Sequence, residues 1–231
     1  LNGFLFLLFT FREPFGLKRF DRDRFPELYQ ATLDEFADPV EGDTEEVSLF
    51  RPLLARTQLE KRQLQLLFDA DVHGWDAGAF HACVGRKGAC VGIAATEGAV
   101  FGYYNPKGHV GYGESRGSIA AFLFTWKDGD TSKPPVKLRK IGKAALACLD
   151  NLESGPRMGA DGIDIPLRPP RANWAPRPDD RLARSKLGSY YERLANGPNR
   201  STLFGASENG KGELLRFLRV YAGVYGPNEE I

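Results

Sequence analysis

Apolar residues between positions 51 and 71 recur at a spacing typical of an amphipathic helix. Glu60, Lys61 and Arg62 fall on the opposite side of such a helix. A second, shorter helix is predicted over residues 76–85, with Asp76 as its N-cap and Gly85 as its end. The apolar positions that carry the first prediction are Leu53, Leu54, Leu59, Leu64, Leu66 and Leu67.

From Ala89 onward the pattern changes to short apolar runs separated by turn residues. Two such runs flank Glu97-Gly98, which predicts a β-hairpin. Helices followed by several short strands indicate an α+β fold. Further strands are predicted within residues 118–130, 136–142, 144–150, 159–167 and 212–226.

Three stretches fall outside this pattern. Residues 26–48 are acidic, with few apolar positions after Val40, and "PVEGDTEEV" is interpreted as a linker. We therefore predict an N-terminal arm and acidic linker over residues 1–50 and a folded domain over 51–231. The proline-rich, basic segment "RPPRANWAPRPDDRLARSK" is predicted to be a surface loop, with an insertion at 166–183.

The first segment of the chain is strongly apolar, since seven of the first nine residues are Phe or Leu. The run is too short to span a bilayer alone, and a basic flank follows it. Three interpretations stay open: a segment packed on the domain's own core, an anchor that inserts into a membrane interface or docks on a membrane subunit, or the end of a longer span. Because residue 1 is Leu and not Met, we expect a processed or incomplete chain, with any targeting segment upstream.

Flexible appendages on a folded domain are common contact sites for partners. We therefore expect protein contacts in the N-terminal arm and the proline-rich loop, and peripheral membrane contact through residues 1–20. The candidate contact residues are Phe4, Phe6, Phe9, Phe11, Arg12, Lys18, Arg19, Arg171, Trp174 and Arg177.

Composition narrows the class of protein. The 231 residues are 42% apolar and 26% charged, which is enough to bury a core. The formal net charge is +1, so nothing indicates a nucleic-acid partner. Three cysteines are too few, and odd in number, for a disulfide scaffold, so we expect reduced thiols in a reducing compartment.

Two stretches resemble metal sites only in part. His81, Cys83 and Cys90 lack the fourth ligand that structural zinc requires. "DADVHGWDAGAF" matches the start of a calcium loop, but Phe80 stands where a bidentate Glu is needed. We predict no metal and no cofactor, and a tight turn after residue 69.

Two further motifs lack the context that catalysis needs. "GRKG" follows a helix and precedes a strand, the reverse of a phosphate-binding loop, so we predict a turn in which Gly85 and Gly88 take positive φ. "GESRG" contains Ser115, but all three histidines precede it and a strand follows. We predict a non-enzyme, with a hydrolase using Ser115 as one alternative. A redox protein with Cys90 as its reactive thiol, after Arg86 and Lys87, is another.

Together these stretches resemble the TLDc domain. "LLFDADVHGWDAGAFHACVGRKGA" is similar to the opening of that domain, and order and spacing agree over about residues 58–226. The chain departs from the family pattern at Val84, at Met158 and in the proline-rich loop. The other matching elements are "FGYY" at 101–104, "AFLFTW" at 121–126, "GPRMGADGIDI" at 155–165, "SKLGSYYE" at 185–192 and "FLRVYAGVY" at 217–225.

The resemblance implies a two-sheet antiparallel β-sandwich with flanking helices. It also implies a non-catalytic role in protection from oxidative damage, and several members of the family bind and regulate the vacuolar-type proton pump. The chain is most similar to compact TLDc proteins of plants and algae, so a structural subunit of an organellar complex, such as a photosynthetic one, is an alternative. The expected location is the cytosolic face of a membrane, or an organelle stroma or matrix such as that of the chloroplast.

Overall fold

The computed structural model describes residues 21–142, 145–169, 175, 177–196, 199–204, 212–226 and 229. Within these ranges, the three α-helices are α1 (Glu45–Phe50), α2 (Ala70–His73) and α3 (Ala77–Val84), and 3-10 turns span Pro26–Leu28, Arg51–Leu54 and Pro178–Arg181. The strands are β1 (Leu64–Asp69), β2 (Cys90–Ala95), β3 (Val100–Asn105), β4 (Glu114–Arg116), β5 (Phe122–Trp126), β6 (Val136–Arg139), β7 (Cys148–Asp150), β8 (Arg157–Met158), β9 (Ile163–Asp164), β10 (Leu182–Ala183), β11 (Glu213–Leu214) and β12 (Phe217–Gly223).

The strands form one large and one small antiparallel sheet, with an additional two-stranded pair. The large sheet has the order β1-β12-β2-β3-β5-β6, the small sheet has the order β4-β7-β8-β9, and β10 pairs with β11. Every strand pair runs antiparallel. The predicted α+β fold is confirmed.

Both faces of the large sheet are covered. On one face, Phe101 and Leu123 share a buried cluster with Met158 and Ile163 of the small sheet, so the two sheets form the predicted sandwich. On the other face, α1 and the turns after it pack against side chains such as Phe124. This explains why all six residues of β2 are buried, as in a strand covered on both sides.

The helix predicted from the leucine spacing at 51–71 is wrong. The chain forms a 3-10 turn at Arg51–Leu54, passes through further turns, and becomes strand β1 at Leu64. Leu53, Leu54 and Leu59 are buried on the outer face of the large sheet. β1 instead pairs with β12, so a distant strand supplies its backbone hydrogen-bond partners.

The interpretation of residues 39–47 as a linker is also wrong. Thr44 caps α1 by accepting a hydrogen bond from the Val47 amide, and Val47 and Phe50 are buried. Asp43 forms a buried ion pair with Arg51. Asp43, Thr44 and Glu46 cap α1 or form ion pairs, and Val47 enters the core.

The local signals around α3 and the first hairpin are confirmed, with one exception. Asp76 accepts a hydrogen bond from the Ala79 amide and caps α3, and β2 pairs with β3 around Glu97-Gly98. Gly88 has the expected positive φ of 77°, but Gly85 has a φ of −61°. Gly85 is needed for space instead, since a Cβ there would lie 2.7 Å from the His81 carbonyl oxygen. Arg86, with a φ of 58°, supplies the other left-handed residue of this turn.

The proline-rich segment is not entirely a surface loop. Leu167 and Ala183, at the two ends of the predicted insertion, belong to the main core cluster. β10 pairs with β11, and Asp180 is buried. Residues 170–174 and 176 lie outside the described residues.

Candidate functional site

A large open groove of about 1290 Å³ lies on one side of the domain. Its walls come from four segments that are distant in sequence, 22–27, 56–62, 86–89 and 106–116, together with Tyr225. Turns form much of the wall, and two of its residues, Arg56 and Arg86, have a φ of 58°. Side chains from segments that are distant in sequence therefore line one cavity.

The lining of the groove is strongly cationic. Eight cationic and three acidic side chains line it, although the whole chain has 31 Lys and Arg against 30 Asp and Glu. Positive charge is therefore concentrated in the groove, and the rest of the chain has a small excess of acidic residues. The cationic residues are Arg22, Arg24, Arg56, Lys61, Arg62, Arg86, Lys107 and Arg116, and the acidic ones are Asp23, Glu27 and Glu60.

Part of this charge is already engaged within the chain. Arg56 pairs with Asp23 and, through Nε at 3.2 Å, with Glu35. Arg22 donates from Nη2 to the Gln30 carbonyl oxygen at 3.0 Å. The two Arg56 pairs fasten Asp23 and Glu35 to the domain, and the Arg22 bond lies within their segment. The Arg56–Asp23 pair engages one cation and one acid of the groove.

Other cations of the groove have no side-chain partner within the described residues. Within the described residues, the side chains of Arg24, Lys61, Arg86 and Lys107 make no ion pair and no hydrogen bond. Nη1 of Arg116 is buried and also has no hydrogen-bond partner there. Arg and Lys side chains in this state are donors that bind carboxylates or phosphates.

One carboxylate already binds at the edge of the groove. Arg62 donates two hydrogen bonds to Glu229, at 2.9 and 3.2 Å, and its guanidinium lies 4.3 Å from the centre of the Tyr225 ring. The hydrogen bonds raise the pKa of Arg62 and lower the pKa of Glu229. Arg62 therefore binds a carboxylate of the chain itself at the edge of the groove.

A second polar cluster lies in the core, where β3 and β7 approach each other. Asp150 Oδ2 accepts hydrogen bonds from the amides of Val110 and Gly111 at 2.8 and 2.6 Å, and His109 Nδ1 lies 3.6 Å from Oδ1. Burial alone would raise the pKa of Asp150, but these donors lower it to about 2. His109 and Asp150 are both buried, so this cluster holds the 105–111 loop against the small sheet.

Two thiols border the same cluster. Cys148 Sγ lies 3.7 Å from Asn105 Oδ1, and Cys90 pairs with Asn105 across strands β2 and β3. Burial, and then the nearby Asp150 charge, raise the pKa of Cys148 to about 12. Burial also raises the pKa of the Cys90 thiol well above its usual value. The reactive-thiol hypothesis for Cys90 is untested by experiment, and this environment argues against it because the thiolate is the reactive form.

The sequence profile of the TLDc domain matches residues 43–168, which is more than half of the chain. The chain belongs to the TLDc domain family. The TLDc domain has a general link to oxidative stress. The matched residues include the His109–Asp150 cluster and part of the groove wall, whereas residues 22–27 and Tyr225 of the groove lie outside the match. No curated protein matches the chain. The profile begins at residue 43, inside the stretch predicted as a linker, and the outer limits of the domain stay a prediction.

Residues of the two metal-like motifs make structural contacts in this TLDc domain. Asp69 caps α2 and pairs with Arg219 at 2.8 Å, and His81 Nε2 bonds to the carbonyl oxygens of Asn151 and Ser154. Ser115 lies on β4, exposed, and makes no hydrogen bond to any of the three histidines, all of which are described. Among the described residues, no three His, Cys, Asp or Glu side chains are grouped to hold a metal ion.

No helix in that same part of the chain is long and apolar enough to cross a bilayer.

Most of the predicted contact residues lie outside the described residues, and those contacts stay predictions. They are Phe4, Phe6, Phe9, Phe11, Arg12, Lys18, Arg19, Arg171 and Trp174. Arg177 is described and exposed, beside a cavity of about 690 Å³ whose wall includes Trp75 and Arg181. Arg181 lies 5.2 Å from the Trp75 ring, a cation–π contact that orders this wall.

The groove itself was not predicted from the sequence. Its cations come from four segments, and no segment alone has a cationic excess of more than two residues. The clearest local signal is Arg86-Lys87, which lies in the predicted turn and close to Cys90.

Proposed function

We propose that this TLDc domain is a non-catalytic binding and regulatory module that docks on a protein subunit of a large membrane complex. The cationic groove carries the proposal, because its unpaired Arg and Lys side chains supply attraction and hydrogen-bond donors for a partner. A vacuolar-type proton pump is the first candidate complex, from the family's known members. An organellar membrane complex is the alternative.

The walls of the groove suit recognition of a macromolecular partner. Its volume of about 1290 Å³ exceeds the roughly 300–1,000 Å³ typical of small-molecule pockets. Its lining is mostly charged and polar, whereas small-molecule sites are mostly apolar. A wide, charged and open cavity favours a protein segment as its occupant.

Lysine-directed crosslinking in a native membrane fraction tests the proposal. We expect Lys61 and Lys107, which lie in the groove, to crosslink to one subunit of a membrane complex. Lys186 is exposed but lies outside the groove and serves as the internal control. Crosslinks confined to this chain, or equally frequent from all three lysines, would contradict the proposal. The crosslinked subunit identifies a proton pump or an organellar complex.

Truncation separates the N-terminal arm from the groove. A chain that begins at residue 21 keeps the residues that form the Arg22–Gln30 and Asp23–Arg56 contacts. We expect the truncated chain to keep its unfolding temperature and to lose part or all of its membrane association. A large drop in unfolding temperature would mean that the arm packs on the core, and the anchor interpretation would be wrong.

A further inference from the structure

The pairing of Glu229 with Arg62 indicates which ligand chemistry the groove accepts. Arg62 is held from one side by the Tyr225 ring, and its guanidinium binds both oxygens of one carboxylate. Glu229 is itself oriented by the Gly226 amide, which donates to the same carboxylate at 2.8 Å. A carboxylate is therefore the group that this wall of the groove binds within the chain itself.

The distribution of the free cations indicates an extended ligand. Arg24, Lys61, Arg86 and Lys107 come from four different wall segments, so a single small anion would contact only some of them. A peptide with several carboxylates can neutralise charges along the whole groove. Glu229 satisfies only Arg62 and leaves these four available.

Two other polyanionic partners fit less well. The chain has a net charge of +1, so it lacks the overall positive field that nucleic-acid-binding domains use for attraction. An anionic bilayer presents a broad surface, whereas these cations line a concave cavity. A narrow acidic segment of a protein can enter the cavity.

We propose that the groove binds an acidic, extended segment of the partner protein, and that Glu229 occupies Arg62 until a carboxylate of that segment replaces it. This inference rests on the proposed function, because it specifies the chemistry of the segment that docks. Glu229 then acts as an internal competitor that weakens binding of the partner. Removal of its charge strengthens binding.

Fluorescence anisotropy with a labelled peptide of alternating Glu and Ser, about twelve residues long and about 40 Å when extended, tests the inference. The matched control peptide has Gln in place of every Glu. We expect the Glu peptide to bind at least about tenfold more tightly than the Gln peptide, and its binding to weaken as salt screens the charges. Equal binding of the two peptides would overturn the inference.

Matched variants assign the effect to named residues. Lys61→Glu combined with Lys107→Glu is expected to weaken Glu-peptide binding about tenfold or more, whereas Lys186→Glu leaves it unchanged. Glu229→Gln is expected to strengthen binding about two- to fivefold, whereas Glu153→Gln, at an exposed acid elsewhere, leaves it unchanged. If Glu229→Gln has no effect, the competition is disproved. Unfolding temperatures of all variants confirm that each is folded.

Two further results separate this inference from the proposed function. Tighter binding to phosphatidylserine vesicles than to the Glu peptide would overturn the acidic-segment inference. If the peptide does not bind but Lys61 and Lys107 still crosslink to a membrane subunit, this inference fails and the proposed function stands. If the peptide binds but no subunit crosslinks, the ligand chemistry is supported and the proposed function fails.

Discussion

Asp43 and Arg51 form a buried ion pair with two parallel hydrogen bonds. Both contacts, from Arg51 Nε and Nη2 to the two carboxylate oxygens, are 2.7 Å long, and the side chains are 1% and 5% exposed. Arg51 also donates to the carbonyl oxygens of Leu59 and Arg62 at 2.7 and 2.9 Å. One guanidinium therefore holds the turns of residues 54–62, part of which form the groove wall, against the end of α1.

Removal of the acid in this pair is expected to be strongly destabilising. Asp43→Ala leaves the buried charge of Arg51 without its carboxylate, which costs about 3–5 kcal/mol of unfolding free energy. Urea unfolding followed by circular dichroism measures the loss. Asp38→Ala, at an exposed position of the same segment, is the control and should change stability by less than about 0.5 kcal/mol. Equal losses in both variants would show that Asp43 has no special role.

Stability in acid should depend on Asp150. Its pKa is about 2 in the folded chain against about 3.9 when unfolded. A carboxyl group with a lowered folded pKa stabilises the fold above its unfolded pKa, and this contribution is lost as pH falls toward the folded value. We expect a contribution of about 2 kcal/mol at pH 7 that disappears between about pH 5 and pH 1.

The variant Asp150→Asn tests that contribution. It should be less stable than the parent chain at pH 7, and the difference should narrow as the pH is lowered from about 5 toward 3, because only the parent has this carboxylate to protonate. The free energy of unfolding is measured at each pH for both proteins. A constant difference across this range would mean that the carboxylate charge contributes nothing to stability.

Gly102 in β3 is required for space between the strands. An added Cβ would lie 2.2 Å from the Gly92 carbonyl oxygen and 2.4 Å from the Phe124 ring, both within the core of the large sheet. Gly102→Ala is expected to lower the free energy of unfolding by about 3 kcal/mol. Gly98→Ala, in the turn of the same hairpin, places its Cβ in open space and should change stability by less than about 1 kcal/mol. A similar loss in both variants would contradict the steric explanation.

The three thiols should differ in their reaction with a disulfide reagent. Cys90 and Cys148 are buried, whereas Cys83 is half-buried, and burial raises the pKa of each. We expect at most one thiol, Cys83, to react with Ellman's reagent in the native state within minutes, and all three to react in guanidinium chloride. A Cys83→Ser variant should show no fast reaction. Rapid labelling of Cys90 in that variant would revive the redox hypothesis.

Signals within a few residues of each other were enough for α3 and the first hairpin, and the order of several short motifs over residues 58–226 was enough for the family assignment. Asp76 caps its helix, and the turn at Glu97-Gly98 reverses the chain, because each contact is local. The helix predicted from the leucines of residues 53–67 is wrong because helical spacing indicates only a local preference. Strand β12, some 150 residues away, supplies β1 with hydrogen-bond partners and makes a strand of it.

Only the tertiary structure brings the cationic groove together. Arg24, Lys61, Arg86 and Lys107 belong to four separate segments, none with a cationic excess of more than two residues, and folding places them around one cavity. The same holds for Asp150. The sequence does not distinguish it from the other Asp and Glu residues, and only the fold brings the Val110 and Gly111 amides within hydrogen-bond distance of it. Electrostatic interactions depend on distance and burial, and contacts between distant segments determine both.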